Sequence, residues 1–136
     1  MTEEIGFEVR MDQPYETVLE KVIAALKVEG FGVLTRIDVK ATLKEKINAD
    51  FRPYIILGAC NPPLAHRALS QDAVAGLLLP CNITVEEESE GKSIVRLANP
   101  ETMLTIGNLE GDPVLLEVAQ EARARLERVA EALLTV

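Results

Sequence analysis

Apolar and polar residues alternate with two different periods along this chain, and the changes of period mark its elements. From 5 to 11 the period is two: Ile5, Phe7, Val9 and Met11 fall on one side, Gly6, Glu8 and Arg10 on the other, which predicts a half-buried strand. Asp12 then stands where a helix cap belongs, with Pro14 near the first turn. Tyr15, Val18, Leu19, Val22 and Leu26 recur at helical spacing until Gly30 offers a stop. A second strand is predicted from Gly32 to Ile37, with Val33, Thr35 and Ile37 on one face. Asp38 is the expected cap of a short helix, whose apolar positions Val39, Leu43 and Ile47 lie four apart.

The densest apolar run follows, Tyr54-Ile-Ile-Leu-Gly-Ala-Cys60, with no charge between Pro53 and Cys60. A run of that kind suits a strand buried on both faces. Asn61-Pro62-Pro63 ends it and starts a helix to about 71, because Asn caps and Pro fits the first helical turn. Residues 81–88 and 92–99 predict a hairpin around Ser89-Glu90-Gly91. Its register would set Ile83 against Leu97, Val85 against Val95, Glu88 against Lys92 and Cys81 against Asn99, with Cys81 facing inward. Asp112-Pro113 starts the last helix, and Leu115, Ala119, Ala122, Leu126, Val129 and Leu133 form its apolar stripe. Strands and helices mixed in this order, with a late hairpin, predict an α+β fold with helices against one sheet.

At 136 residues the chain fits a single domain, 1–136, with 48% hydrophobic and 26% charged residues, as in an ordinary globular protein. A net charge of −8 argues against nucleic-acid backbones and anionic membrane surfaces as partners. The opening Met1-Thr2-Glu3-Glu4 is acidic and polar and carries no leader pattern. No apolar run reaches the length of a bilayer span. With two cysteines the chain is no disulfide scaffold, so the expected setting is the cytoplasm, with both thiols reduced.

Candidate chemistry gathers between 60 and 82. Cys60 ends a strand directly before a helix N-terminus, where the dipole favours a thiolate, although Pro62 and Pro63 remove two of the usual N–H donors. Cys81 opens a later strand. If the two strands are neighbours, the thiols meet and form a redox pair or two soft metal ligands. His66, the only histidine, is placed to serve as a base or third ligand, and Asn61 and Asn82 to orient a ligand. Against these stand simpler roles: core thiols, a surface histidine, a cap and an edge asparagine. Glu86-Glu87-Glu88 reads as a solvated, repulsive strand edge, and Arg96 as the partner of a strand glutamate. No phosphate loop, GxSxG or HExxH occurs.

Gly58-Ala59-Cys60-Asn61-Pro62 with Ala65, then Leu78-Leu79-Pro80-Cys81, together with Gly30-Phe31-Gly32-Val33 and Asp38-Val39-Lys40, resemble the family called domain of unknown function three-hundred-and-two. The likeness spans about residues 5–134. It implies a fold like half of the TATA-binding protein, a curved, mainly antiparallel sheet with helices on one face, and a homodimer; it implies no reaction, and fold likeness to a DNA binder transfers no function. The expectation is therefore a binding or sensing module, with Cys60, Asn61, His66, Cys81 and Asn82 around a small ligand or soft metal. Two alternatives stand beside it: an enzyme with Cys60 as nucleophile or redox thiol, Cys81 resolving and His66 as base, and a structural protein with core cysteines. No catalytic residue, cofactor or particular metal is specified by the residues.

Overall fold

The structure is a computed structural model in which residues 5–134 are described; the acidic opening at 1–4 lies outside them. Five strands form one antiparallel sheet: β1 (Gly6–Met11), β2 (Gly32–Asp38), β3 (Tyr54–Cys60), β4 (Cys81–Ser89) and β5 (Lys92–Ala98), in the order β1-β5-β4-β3-β2. The helices are α1 (Tyr15–Val28), α2 (Val39–Ile47), α3 (Pro62–Gln71), α4 (Pro100–Met103) and α5 (Pro113–Leu134). A 3-10 segment, Ala73–Leu78, follows α3. Among the described residues no helix is long and apolar enough to cross a membrane.

One face of the sheet carries the main core. Val9, Leu57, Ile83, Val85, Val95 and Leu97 meet Val18, Val22 and Leu26 of α1 and Leu126 and Val129 of α5. The stripe expected on α5 is buried along its length, and its second half, Leu126, Val129 and Leu133, seats that helix on the sheet. The first half of α5 holds a second core, where Leu115, Val118, Ala119 and Ala122 meet Leu64 and Ala68 of α3. The candidate site lies where these two cores adjoin.

Local signals place several boundaries as expected. Gly30, at φ +84°, closes α1 in a left-handed turn: its N–H donates to Lys27 and the Phe31 N–H to Leu26. Asp38 caps α2 by accepting from the Ala41 N–H at 2.9 Å, and Asp112 caps α5 by accepting from Val114 and Leu115. Other local readings are overturned by partners distant in sequence. Asp12 caps nothing; α1 starts after Pro14, and Asp12 pairs with Lys92 at 3.2 Å. Ile5 does not continue the buried side of β1 and is exposed.

Two irregularities break the expected alternation. β2 bulges between Val33 and Thr35, so Val33 opposes Ala59 on the core face while Thr35 opposes Gly58 on the other. Val33, Thr35 and Ile37 therefore do not share a face. The hairpin keeps Ile83 opposite Leu97 and Val85 opposite Val95, but a shift between Glu87 and Ser89 sets Ser89 against Lys92. Glu88 turns to Arg10 instead, at 2.8 Å. The stripe on α2 has little to pack on: no residue of that helix is buried, and Ile47 is exposed.

The glutamate run belongs to an inner strand, since β4 lies between β3 and β5. Glu86 is buried, held by Arg52 and Arg96. Arg96 also reaches Glu8 at 3.0 Å, so charges of both signs alternate over the face away from the core. Burial raises the Glu86 pKa, but hydrogen bonds from Arg96 and Arg52 outweigh it and hold the carboxyl below its ordinary value. A carboxylate with a depressed native pKa stabilises the fold above its unfolded value and loses that contribution as pH falls through the native one. Stability should thus fall on acidification below about pH 4.5, and Glu86→Gln should remove that part of the slope. Because both arginines stay about half in water, the loss at pH 7 should be about 1–3 kcal/mol. Urea midpoints from pH 7 to 3 check this: parallel curves for both proteins would show that Glu86 is not the titrating group.

Candidate functional site

Gly58 shows how tightly the end of β3 is built. A Cβ there would collide with the Thr35 hydroxyl and approach the Pro80 ring at 2.8 Å, so only glycine lets β2 and the Leu79-Pro80 segment close on this strand. Beyond it β3 runs out into Asn61. Ala59 faces Cys81 directly across the β3–β4 ladder, and Cys60 faces Gly32 across β2–β3.

Around this strand end lies a cavity of about 300 Å³. It takes wall from both sides of the sheet: Ala59 and Cys81 from the core side, Cys60, Leu34 and Pro80 from the other. α3 roofs it through Leu64, Ala65 and Ala68, and α5 closes the back with Val118 and Ala122. Leu34 and Leu69 line its mouth and are themselves exposed. The space exists because alanines stand where the stripes of α3 and α5 would otherwise carry larger side chains. Ala68 and Ala122 are both buried in the second core, yet neither fills the gap between them.

The lining is almost wholly hydrocarbon, and its only titratable groups are the two thiols, both free and half-buried. Burial pushes the Cys81 thiol up to about 11, and the proximity of Cys60 adds to the rise. Cys81 therefore keeps its proton at neutral pH and is a poor nucleophile there.

Asn61 also lines the cavity, but its amide is committed to the scaffold. Its Oδ1 accepts from the Leu64 N–H at 3.3 Å, which caps α3. Its Nδ2 donates to the Glu29 carbonyl at 3.4 Å, and Arg125 donates to the same oxygen at 3.1 Å. One asparagine thus joins the end of α1 to the start of α3, with α5 at the same point.

The remaining candidates lie elsewhere. His66 is exposed on α3 and does not line the cavity, so neither thiol has it as a base or co-ligand. Asn82 is exposed beside Tyr54 and Thr84 in a separate groove on the face away from the core. Among the described residues no group of three or more His, Cys, Asp or Glu side chains stands together as a metal site. Sequence reasoning missed Phe31, Leu34, Ala68 and Ala122, which shape the cavity as much as the cysteines do. The signal available was the substitution of alanine into otherwise leucine- and valine-rich helical stripes.

Comparison with known proteins bears on the whole chain. The family model described as domain of unknown function DUF302 matches residues 7–133. Among solved structures, the crystal structure of the uncharacterized conserved protein DUF302 from Bacillus stearothermophilus matches with a TM-score of 0.82 at 31% identity. The match covers 94% of this chain and 97% of that one. No protein with a curated description matches.

Proposed function

Since the chain belongs to the DUF302 family, whose fold comes with no reaction attached, we propose from the cavity itself that this protein is a binding module for a small apolar molecule. One observation carries the reading: a space of about 300 Å³ at the junction of two cores, walled by hydrocarbon and open between Leu34 and Leu69. Apolar pockets of this size, formed without charge, take up ligands by removing apolar surface from water. Cys60 and Cys81 supply the only soft, polarisable atoms on the wall.

Two features weigh against an enzyme. No base lines the cavity, and the Cys81 thiol holds its proton far above neutral pH. A purely structural role does not call for an open apolar cleft of this size.

Titration with indole, followed by NMR, tests the reading. Shifts should concentrate on Ala59, Ala68, Ala122 and the two cysteines, and Tm should rise with ligand concentration as mass action requires. Absence of saturable shifts at those residues, for indole and for benzene alike, would remove the proposal.

The homodimer belongs to the same reading. β2 is an outer strand with an unpaired edge; it carries Leu34, exposed at the cavity, and Ile37, exposed farther along the strand. A second copy paired there would cover the mouth. Sedimentation equilibrium should find a species of twice 14.9 kDa, and a monomer at all micromolar concentrations would exclude it.

A further inference from the structure

The cavity has two unlike ends. Toward the core its wall is hydrocarbon, supplied by Phe31, Ala59, Val118 and Ala122. Toward the other face of the sheet it reaches the bulge in β2. Leu34 has no partner in the β2–β3 ladder there, because Val33 opposes Ala59 and Thr35 opposes Gly58. The backbone N–H and C=O of a bulged residue are left out of the ladder, so this end of the cavity has backbone polar groups to offer. The Thr35 side chain and the Pro80 ring both lie over Gly58, and Pro80 is part of the wall. Among the described residues the Thr35 hydroxyl has no hydrogen-bond partner. Cys60 adds a thiol on this face of the sheet, whereas Cys81 lies on the core face.

All of these groups are neutral. No charged side chain lines the cavity. The guanidinium beside Asn61, that of Arg125, is taken up by Glu121 at 3.1 Å and by the Glu29 carbonyl at 3.1 Å. A carboxylate head group would therefore give up part of its hydration without meeting a cation, on a chain whose net charge is −8. A hydroxyl both donates and accepts, and it suits a mouth that offers a backbone strand edge and a threonine. Size narrows the choice further. A dry cavity of about 150 Å³ holds one benzene, so about twice that volume has room for an alkyl chain of on the order of eight to twelve carbons.

We propose that the cavity binds a medium-chain aliphatic alcohol and discriminates against the carboxylate of the same chain. The alkyl chain lies against α5, and the hydroxyl stays at the β2 bulge beside Leu34 and Thr35. The proposal rests on the cavity reading above and names the class of ligand that the cavity selects. Binding is non-covalent, and every group that meets the ligand keeps its proton, including the firmly protonated Cys81 thiol.

The experiment titrates the wild-type protein with 1-octanol, octanoate and octylammonium and follows the amide shifts by NMR. Octanol should bind at least about tenfold more tightly than either ion. Across the alcohols from butanol to dodecanol, affinity should rise about fourfold per methylene and level off at on the order of ten carbons, when the space is full. Thr35 and Leu34 are both exposed, so their side chains can be changed without opening the core. Thr35→Val should weaken octanol about fivefold and leave benzene unchanged, since benzene has no hydroxyl to lose a partner. Leu34→Lys should strengthen octanoate about threefold by setting a cation at the mouth. Equal affinities of the wild-type protein for octanol and octanoate overturn the proposal, and so does an unchanged octanol affinity in folded Thr35→Val protein. Indole separates the two ideas. If indole binds and octanol does not, only the alcohol falls; if neither binds, the cavity reading falls with it.

Discussion

Ala122→Phe should deprive the protein of its apolar ligand and leave the fold standing. Ala122 is buried on α5, at the back wall of the cavity. A phenyl ring there extends a side chain that faces about 300 Å³ of space. Enlarging a side chain in a filled core costs about 1–3 kcal/mol, but here the ring enters existing volume, so the cost should stay below about 2 kcal/mol. A bound molecule would have to share the remainder, and indole affinity should fall at least about a hundredfold, or roughly 3 kcal/mol. The readouts are the indole titration and the urea midpoint of the same variant. Unchanged indole affinity in a folded variant would place the ligand elsewhere and remove the functional reading.

Leu126→Ala carries the largest expected loss of stability. Leu126 is fully buried where α5 crosses the sheet, among Val9, Val85, Val95, Val18 and Val22 of the main core. Truncation removes buried methyl and methylene groups and leaves a cavity that the rigid sheet cannot collapse into, which costs about 2–5 kcal/mol. For a domain of this size that lowers Tm by on the order of 10 °C. Ile47→Ala is the contrast. Ile47 has the same apolar character, but α2 leaves it exposed, and its truncation should stay within about 0.5 kcal/mol. Denaturant unfolding of both variants makes the comparison. Equal losses would mean that α5 is not seated on the sheet through this stripe.

The contrast between Leu126 and Ile47 also shows how far the pattern of the chain could be read. Both sit in stripes of correct helical spacing, and both helices form. Spacing makes an apolar face, but it does not say whether anything lies opposite. The α5 stripe meets a five-stranded sheet and α3; the α2 stripe meets little more than the end of β3 and β2. The cysteines show the same division. Asn61 as a cap and Cys81 as an inward residue follow from the neighbouring three or four residues, and both positions are occupied as expected. That His66 points away from the cavity depends on the rotation of α3 against α5, which no local pattern encodes.

Glu86 marks the limit from the other side. Three consecutive glutamates read locally as a solvated edge, because like charges in a row repel and seek water. The sheet order places them on an inner strand, and Arg52 and Arg96 arrive from β5 and from the segment before β3 to neutralise the buried one. The cavity has the same origin. Alanine on a stripe is a weak local feature, and it becomes a void only when Ala68 and Ala122 are brought to one place from separate helices.

From the order of its residues alone, this chain determined its elements, most of their caps, the two apolar pairs of the hairpin and the family to which it belongs. Each of those depends on backbone hydrogen bonds and side-chain periods that act over a few residues. The tertiary structure alone decided the bulge at Leu34, the burial of Glu86, the separation of His66 and Asn82 from the thiols, and the cavity that holds Cys60 and Cys81. Those outcomes arise where segments distant in sequence compete for the same space and the same charges, and only the packed assembly settles which contacts are made.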